Sequence, residues 1–197
     1  MQHLLHLFCL EKDMTQSRWN LLIYRVPSQP STQRVHVWRK LKGWGGLYLQ
    51  QSVCVLPPRE NLQQQLEKLR AEIVSGGGEA DLLTVQIEDE TQNALLIQRF
   101  QQQAEEEYQE FLGRCRDFHQ ELDHEREISN LTFAELDENE AELAKLRSWL
   151  PKIRDRDLFA AAGYAKALEA LSACEQDFEV FTQQVYGDST EALDANP

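Results

Sequence analysis

Between Glu88 and Pro151 the chain contains no proline. Proline removes a backbone donor and clashes with the preceding turn, so a stretch without it leaves room for long helices. The apolar spacing uses that room. Ile97, Phe100 and Ala104 lead into Tyr108, Phe111, Cys115, Phe118 and Leu122, the last five alternating three and four residues apart. This is a coiled-coil-like seam, and it predicts a helix over 90–129. Thr132 and Glu135 then form a capping box, and Leu136, Leu143, Leu146, Leu150 and Ile153 supply the buried side of a second helix. A third runs from about Ala160 to Val185, with Leu168, Leu171, Phe178 and Phe181 inward. The C-terminal half reads as a helical hairpin or small bundle.

The N-terminal half is punctuated differently. "WNLLIYRV" (Trp19–Val26) is a strand-forming run, expected to be central and stopped by Pro27 and Pro30. Ser31 caps a helix through "TQRVHVWRKLKGW", with Val35, Trp38 and Leu41 as its apolar side and Gly43, Gly45 and Gly46 ending it. Two short strands, "LYLQQ" and "SVCVL", close at Pro57–Pro58. A helix over 59–75 follows, with Leu62, Leu66, Leu69 and Ile73 inward; Gly76–Gly78 makes the turn into the strand "ADLLTVQI" (Ala80–Ile87). The order strand, helix, strand, strand, helix, strand is the split βαβ, or ferredoxin-like, pattern. The expected class is α+β: a ferredoxin-like βαββαβ domain over 17–88, a helical hairpin or bundle over 89–187, and disordered tails at 1–16 and 188–197. Met14 would serve as an alternative start.

Charge is distributed unevenly. From Met14 to Arg59 there is no acidic residue in 46 positions, yet the whole chain of 197 residues has a net charge of -13. Arg18, Arg25, Arg34, Arg39, Lys40, Lys42 and Arg59 are the cations of that segment. Either it keeps a positive field for an anionic partner, or the acidic helices neutralise it within one fold. With 42% hydrophobic and 27% charged residues the composition is that of a soluble globular protein. No apolar run approaches a membrane span, and "MQHLLHLFCL" lacks the basic start and cleavage site of a signal peptide. Cys9, Cys54, Cys115 and Cys174 are far apart, which suggests free thiols in a reducing cytoplasm.

Candidate sites are few. The loop Pro27–Arg34 leaves a strand and opens a helix, so free N–H groups and the positive end of the helix dipole meet there. Arg25, Ser31, Thr32 and Arg34 would seat a tetrahedral oxyanion; the alternative is an ordinary capped helix start. Arg34, Arg39, Lys40 and Lys42 would contact DNA phosphate, with Trp44 as a stacking residue because the spacing puts Trp38 on the buried side. The alternative is that cations simply suit a helix C-terminus. Cys115, His119 and Asp123 share a helix face and read as a buried thiol beside surface polar residues. The acidic runs Glu105–Glu110 and Glu135–Glu142 read as solvated faces. No G-x-x-x-x-G-K-S/T, G-x-S-x-G or H-E-x-x-H pattern occurs, so neither catalysis, nor a metal, nor a cofactor is expected.

"WNLLIYRVPSQPSTQRVHVWRKLKGWGGLYLQQSVCVLP" and "FAELDENEAELAKLRSWLPKIRDRDLF" resemble, in this order, two blocks of the chromate-resistance ChrB family, over residues 17–187. The resemblance implies a cytoplasmic, chromate-responsive transcriptional regulator that binds DNA, with chromate or a related oxyanion as effector. Longer members carry a further C-terminal domain, so the alternative is a dimeric interaction module that does not bind DNA and lacks that domain. The first block is also distantly similar to the ferredoxin-like domains of PaaX repressors and of CRISPR adaptation nucleases, which favours a homodimer. Those nucleases carry a metal-binding Asp where this chain has Arg25, so their activity is not expected here.

Overall fold

A computed structural model describes residues 17–27 and 31–194. The tail expected at 1–16 lies outside the described residues; the one expected at 188–197 continues the last helix as far as Asp194. The chain divides into two compact units, residues 1–104 with 155–161 and residues 105–154 with 162–197.

In the first unit, β1 (Arg18–Arg25), α1 (Ser31–Gly43), β2 (Leu47–Gln50), β3 (Val53–Leu56), α2 (Glu60–Ser75) and β4 (Glu79–Gln86) follow the split βαβ order. The sheet order is β2-β3-β1-β4, with every neighbouring pair antiparallel. This is the ferredoxin-like arrangement. β1 is central, as its apolar run requires: it pairs with β4 from Arg18↔Gln86 to Arg25↔Glu79 and with β3 from Asn20↔Leu56 to Ile23↔Val53. Trp19 is fully buried, stacked on Phe100 at 5.5 Å and tilted against Phe159 at 5.6 Å. Its Nε1 donates to Asn93 Oδ1 at 2.9 Å, which satisfies the one polar atom that burial of the indole would strand.

Helix α1 departs from the expected rotation. Val37 and Leu41 are its buried pair, whereas Val35 and Trp38 are 42% and 50% exposed. The i, i+4 pair outcompetes the i, i+3 stripe because Trp44, just beyond the helix, packs against the same core and extends the Val37–Leu41 side. The end of α1 locks that rotation. Gly46 N–H donates to Leu41 O at 2.8 Å and Gly45 N–H to Lys42 O at 3.0 Å, the two bonds of a Schellman cap. Gly45 has φ +76°, and a side chain there would strike the Arg156 carbonyl. A Cβ on Gly46 would lie 2.6 Å from Cys54 Sγ.

The second unit holds most of α3 (Glu90–Glu127), α4 (Phe133–Arg156) and α5 (Gly163–Asp194). Their seams meet as a three-helix bundle. Phe111 lies edge-on to Trp149, Phe118 against Phe178, and Phe133 edge-on to Tyr186. The 4-3 alternation on α3 is buried as its spacing predicts, from Tyr108 to Leu122. Among the described residues of α5 the buried ones are Gly163, Ala167, Cys174, Phe181 and Val185; Leu168, expected inward, is 49% exposed. Half of the expected capping box is present, with Glu135 N–H donating to Thr132 Oγ1 at 3.3 Å. Glu105 accepts the first N–H of α5, from Gly163, at 2.8 Å. A carboxylate is favoured there by the exposed helix N-terminus.

Two outcomes follow. Gly45→Ala forces a left-handed alanine, at about 1–2 kcal/mol, and adds the clash with Arg156. A total loss of about 2–4 kcal/mol is expected in urea unfolding. In the bundle, burial pulls the Asp177 carboxyl up, but His119 and Arg126 outweigh it and hold the group below its ordinary value. A depressed folded-state pKa stabilises above the unfolded value near 3.9 and is lost as pH falls through the folded value. Wild type should therefore lose bundle stability below about pH 4 more steeply than Asp177→Asn, as read by thermal melts across pH.

Candidate functional site

The rotation set by Val37 and Leu41 turns Arg34, Trp38 and Lys42, each one helical turn from the next, toward a groove. Its other wall is the end of β1, strand β2 and the turn after it. The groove has a volume of about 960 Å³. Arg25, Arg34 and Lys42 contribute its positive charge, and none of its thirteen lining residues is acidic. Gln50, Gln51 and Gln103 add amides, and Val26, Val35 and Leu47 an apolar wall.

Local structure explains several of these placements. Ser52 takes φ +66° in the turn, and its carbonyl accepts from Tyr24 N–H at 3.0 Å. The β2–β3 register shifts between Tyr48 and Gln50, and such an irregularity re-aims the side chains beside it. The Tyr24 and Tyr48 hydroxyls lie 2.9 Å apart. Burial pushes both phenols above their ordinary value, Tyr48 far above, so both remain protonated. One O–H donates to the other oxygen, which leaves one hydroxyl hydrogen that the pair itself does not use. Lys42 Nζ donates to Gln103 Oε1 at 2.8 Å, and Arg25 Nη2 meets Glu79 Oε1 at 2.5 Å with both side chains exposed.

The expected site residues separate. Arg25, Arg34 and Lys42 line one groove. Lys40 faces the other way: its Nζ lies 2.8 Å from both carboxylate oxygens of Glu72 on α2, where His36 also reaches at 3.3 Å. The Lys40 hydrogen bond is the chief reason that the Glu72 carboxyl sits below its ordinary value. Arg39 and Thr32 are exposed and are not among the lining residues. The Ser31 side chain lies outside the described residues. Trp38 corrects the reading of the two tryptophans. It is the open one, in the groove, while Trp44 packs against the core. The Arg34–Trp38–Lys42 spacing was visible in the sequence, but the competing Val35–Trp38–Leu41 stripe hid it.

A second cluster lies in the bundle. The fully buried Cys174 has its Sγ 3.5 Å from His119 Nε2 and 3.7 Å from Cys115 O. His119 Nδ1 meets Asp177 Oδ2 at 2.5 Å, and Arg126 meets Asp177 Oδ1 at 2.6 Å. His119 thus takes its carboxylate from α5, whereas Asp123 pairs with Arg126 at 2.9 Å. The hydrogen bond to Cys115 and burial push the Cys174 thiol well up, so it stays protonated. Cys54, Cys115 and Cys174 are all free and buried. Among the described residues no group of three or more His, Cys, Asp or Glu is placed to hold a metal, and no helix is long and apolar enough to cross a membrane.

An antiparallel ferredoxin-like sheet with a helical C-terminal region defines an α+β protein. The sequence model of the family described as "Protein ChrB, N-terminal" matches residues 34–192. The chain belongs to this family, which is associated with chromate resistance. It is 32% identical over 79 residues to Protein ChrB of Cupriavidus metallidurans, a match covering 40% of this chain and 24% of that relative. The matched stretch thus spans about a quarter of the relative's length. No solved structure matches significantly.

An exposed tryptophan flanked by cations has a measurable signature. Iodide should quench the wild-type fluorescence more than caesium does, because the local field attracts the anion. Trp38→Phe should remove most of that difference, since the fully buried Trp19 and the partly buried Trp44 and Trp149 remain.

Proposed function

We propose that the chain is a chromate-responsive transcriptional regulator of the cytoplasm, acting as a homodimer, in which the basic side of α1 contacts DNA. The observation that carries this reading is a groove whose described lining holds three cations, one of them, Arg25, paired with Glu79 beside it, and no carboxylate, in a chain of net charge -13. Membership of a chromate-resistance family supports the identity of the effector. Arg34, Lys42 and the exposed Arg39 would engage phosphate, with Lys40 contributing once it leaves Glu72. A chromate-type dianion needs charge and several donors, and Arg25, Arg34, Thr32 and the first-turn N–H groups of α1 would offer them. Because Arg34 serves both ligands, oxyanion binding would release DNA.

A second reading draws on Lys40 and Arg25, which already meet carboxylates, and on a net charge that repels DNA at long range. In this reading the chain is a dimeric interaction module without DNA binding. A gel-shift titration with the DNA upstream of the coding sequence, with and without chromate at two salt concentrations, separates the two. The regulator gives a chromate-released shift. Arg34→Glu combined with Arg39→Glu should weaken it and lower the salt slope by about two, at about 0.9 for each phosphate that the variant no longer neutralises. Absence of a shift even at low salt, with a dimer by light scattering, favours the interaction module.

A further inference from the structure

We propose that the groove beside α1 binds a nucleotide unit, with the base stacked on the Trp38 indole and the phosphate held by Arg34 or Lys42. The inference rests on the reading that this basic face meets nucleic acid, and it specifies which form: a base that is unpaired and splayed out, not only the backbone of a duplex.

The groove is larger than an oxyanion needs. A volume of about 960 Å³ lies at the upper end for pockets that enclose small organic ligands. A four-oxygen anion fills only a small part of it, so an oxyanion alone leaves most of the groove without a partner. Trp38 points the same way. A half-exposed indole on the surface of a helix is unusual, because indoles are large and mostly buried. It is half-exposed and lines the groove, and stacking on an aromatic ring is something any base can supply. Val35 beside it, 42% exposed, would cover the edge of the same ring system.

Arg34 and Lys42 lie one turn on either side of Trp38, about 6 Å away along the helix axis. A phosphate attached to a stacked base through its sugar falls within reach of one or the other. The remaining lining suits a base edge. Gln50 and Gln51 carry donors and acceptors together, and the Tyr24–Tyr48 pair retains one hydroxyl hydrogen. A carboxylate would repel the phosphate; the described lining has none, and the Glu79 carboxylate beside it is held by Arg25.

The same chemistry could come from a nucleic-acid strand or from a free nucleotide, so the test has an arm for each. The whole chain would be titrated with a mixed-sequence single-stranded oligodeoxynucleotide, with dAMP, and with deoxyribose 5-phosphate as a phosphate without a base. Tryptophan fluorescence and calorimetry would be read together. The expected result is saturable binding of the single strand with quenching of Trp38, and much weaker binding of the sugar phosphate. Trp38→Ala should weaken strand binding by roughly ten-fold or more, as stacking positions do, and Trp38→Phe should recover part of the loss. Trp38 is half-exposed, so these variants should keep the wild-type melting profile, which is checked alongside. Binding of dAMP that depends on Trp38, with no binding of any strand, supports the nucleotide site while removing the DNA reading. Single-strand binding unchanged in Trp38→Ala, or equal affinity for the sugar phosphate, would overturn the inference. So would absence of binding to every probe. A duplex shift that survives Trp38→Ala, beside unaltered strand binding, overturns the stacking site and leaves the regulator intact.

Discussion

The rotation of one helix decides what the basic segment can do. Val37 and Leu41 are buried almost completely, and the Schellman cap at Gly45–Gly46 fixes the helix end against β3. Burying an aliphatic side chain stabilises by about 1.5–3 kcal/mol, and turning Trp38 inward instead would take Val37 out of a core that is already filled. With the rotation fixed, Arg34, Trp38 and Lys42 share one side, and His36 and Lys40 share another. One short helix therefore has a core side, a groove side and a side neutralised by Glu72.

Part of the acid-free segment's charge is balanced within the fold: Glu79 and Glu72 supply carboxylates to Arg25 and Lys40. These pairs are exposed, and pairs of that kind contribute little to stability while remaining easy to separate. The groove itself keeps its cations without a carboxylate in its lining. The acid-rich helices carry most of their carboxylates outward. Glu105 is put to structural use at the start of α5.

The bundle has its own internal constraint. Asp177 joins His119 and Arg126, and His119 reaches Cys174, so a polar chain runs from the surface to a fully buried thiol. Such a network stays favourable only while each member has its partner. It also limits the register of α3 against α5, because a one-turn slip would separate the carboxylate from both His119 and Arg126.

The sequence by itself determined the element order, the central position of β1 and the helical C-terminal region. Each follows from a local signal: proline and glycine punctuation, a strand-forming run, and a 4-3 seam that only a helix buries. The acid-free segment and the ChrB resemblance were likewise legible in residues adjacent along the chain. Tertiary structure alone decided which of the two tryptophans would be open, which cations would share a groove, and which carboxylate would hold His119. Val35 and Val37 offer α1 two apolar stripes that periodicity cannot rank, and only the packing of Trp44 and Leu41 against the sheet selects between them. Asp177 lies 58 residues from His119, and no spacing rule along one helix can report a partner brought by another. Pairings of that separation depend on how the elements close on one another, which is decided by the core they jointly fill.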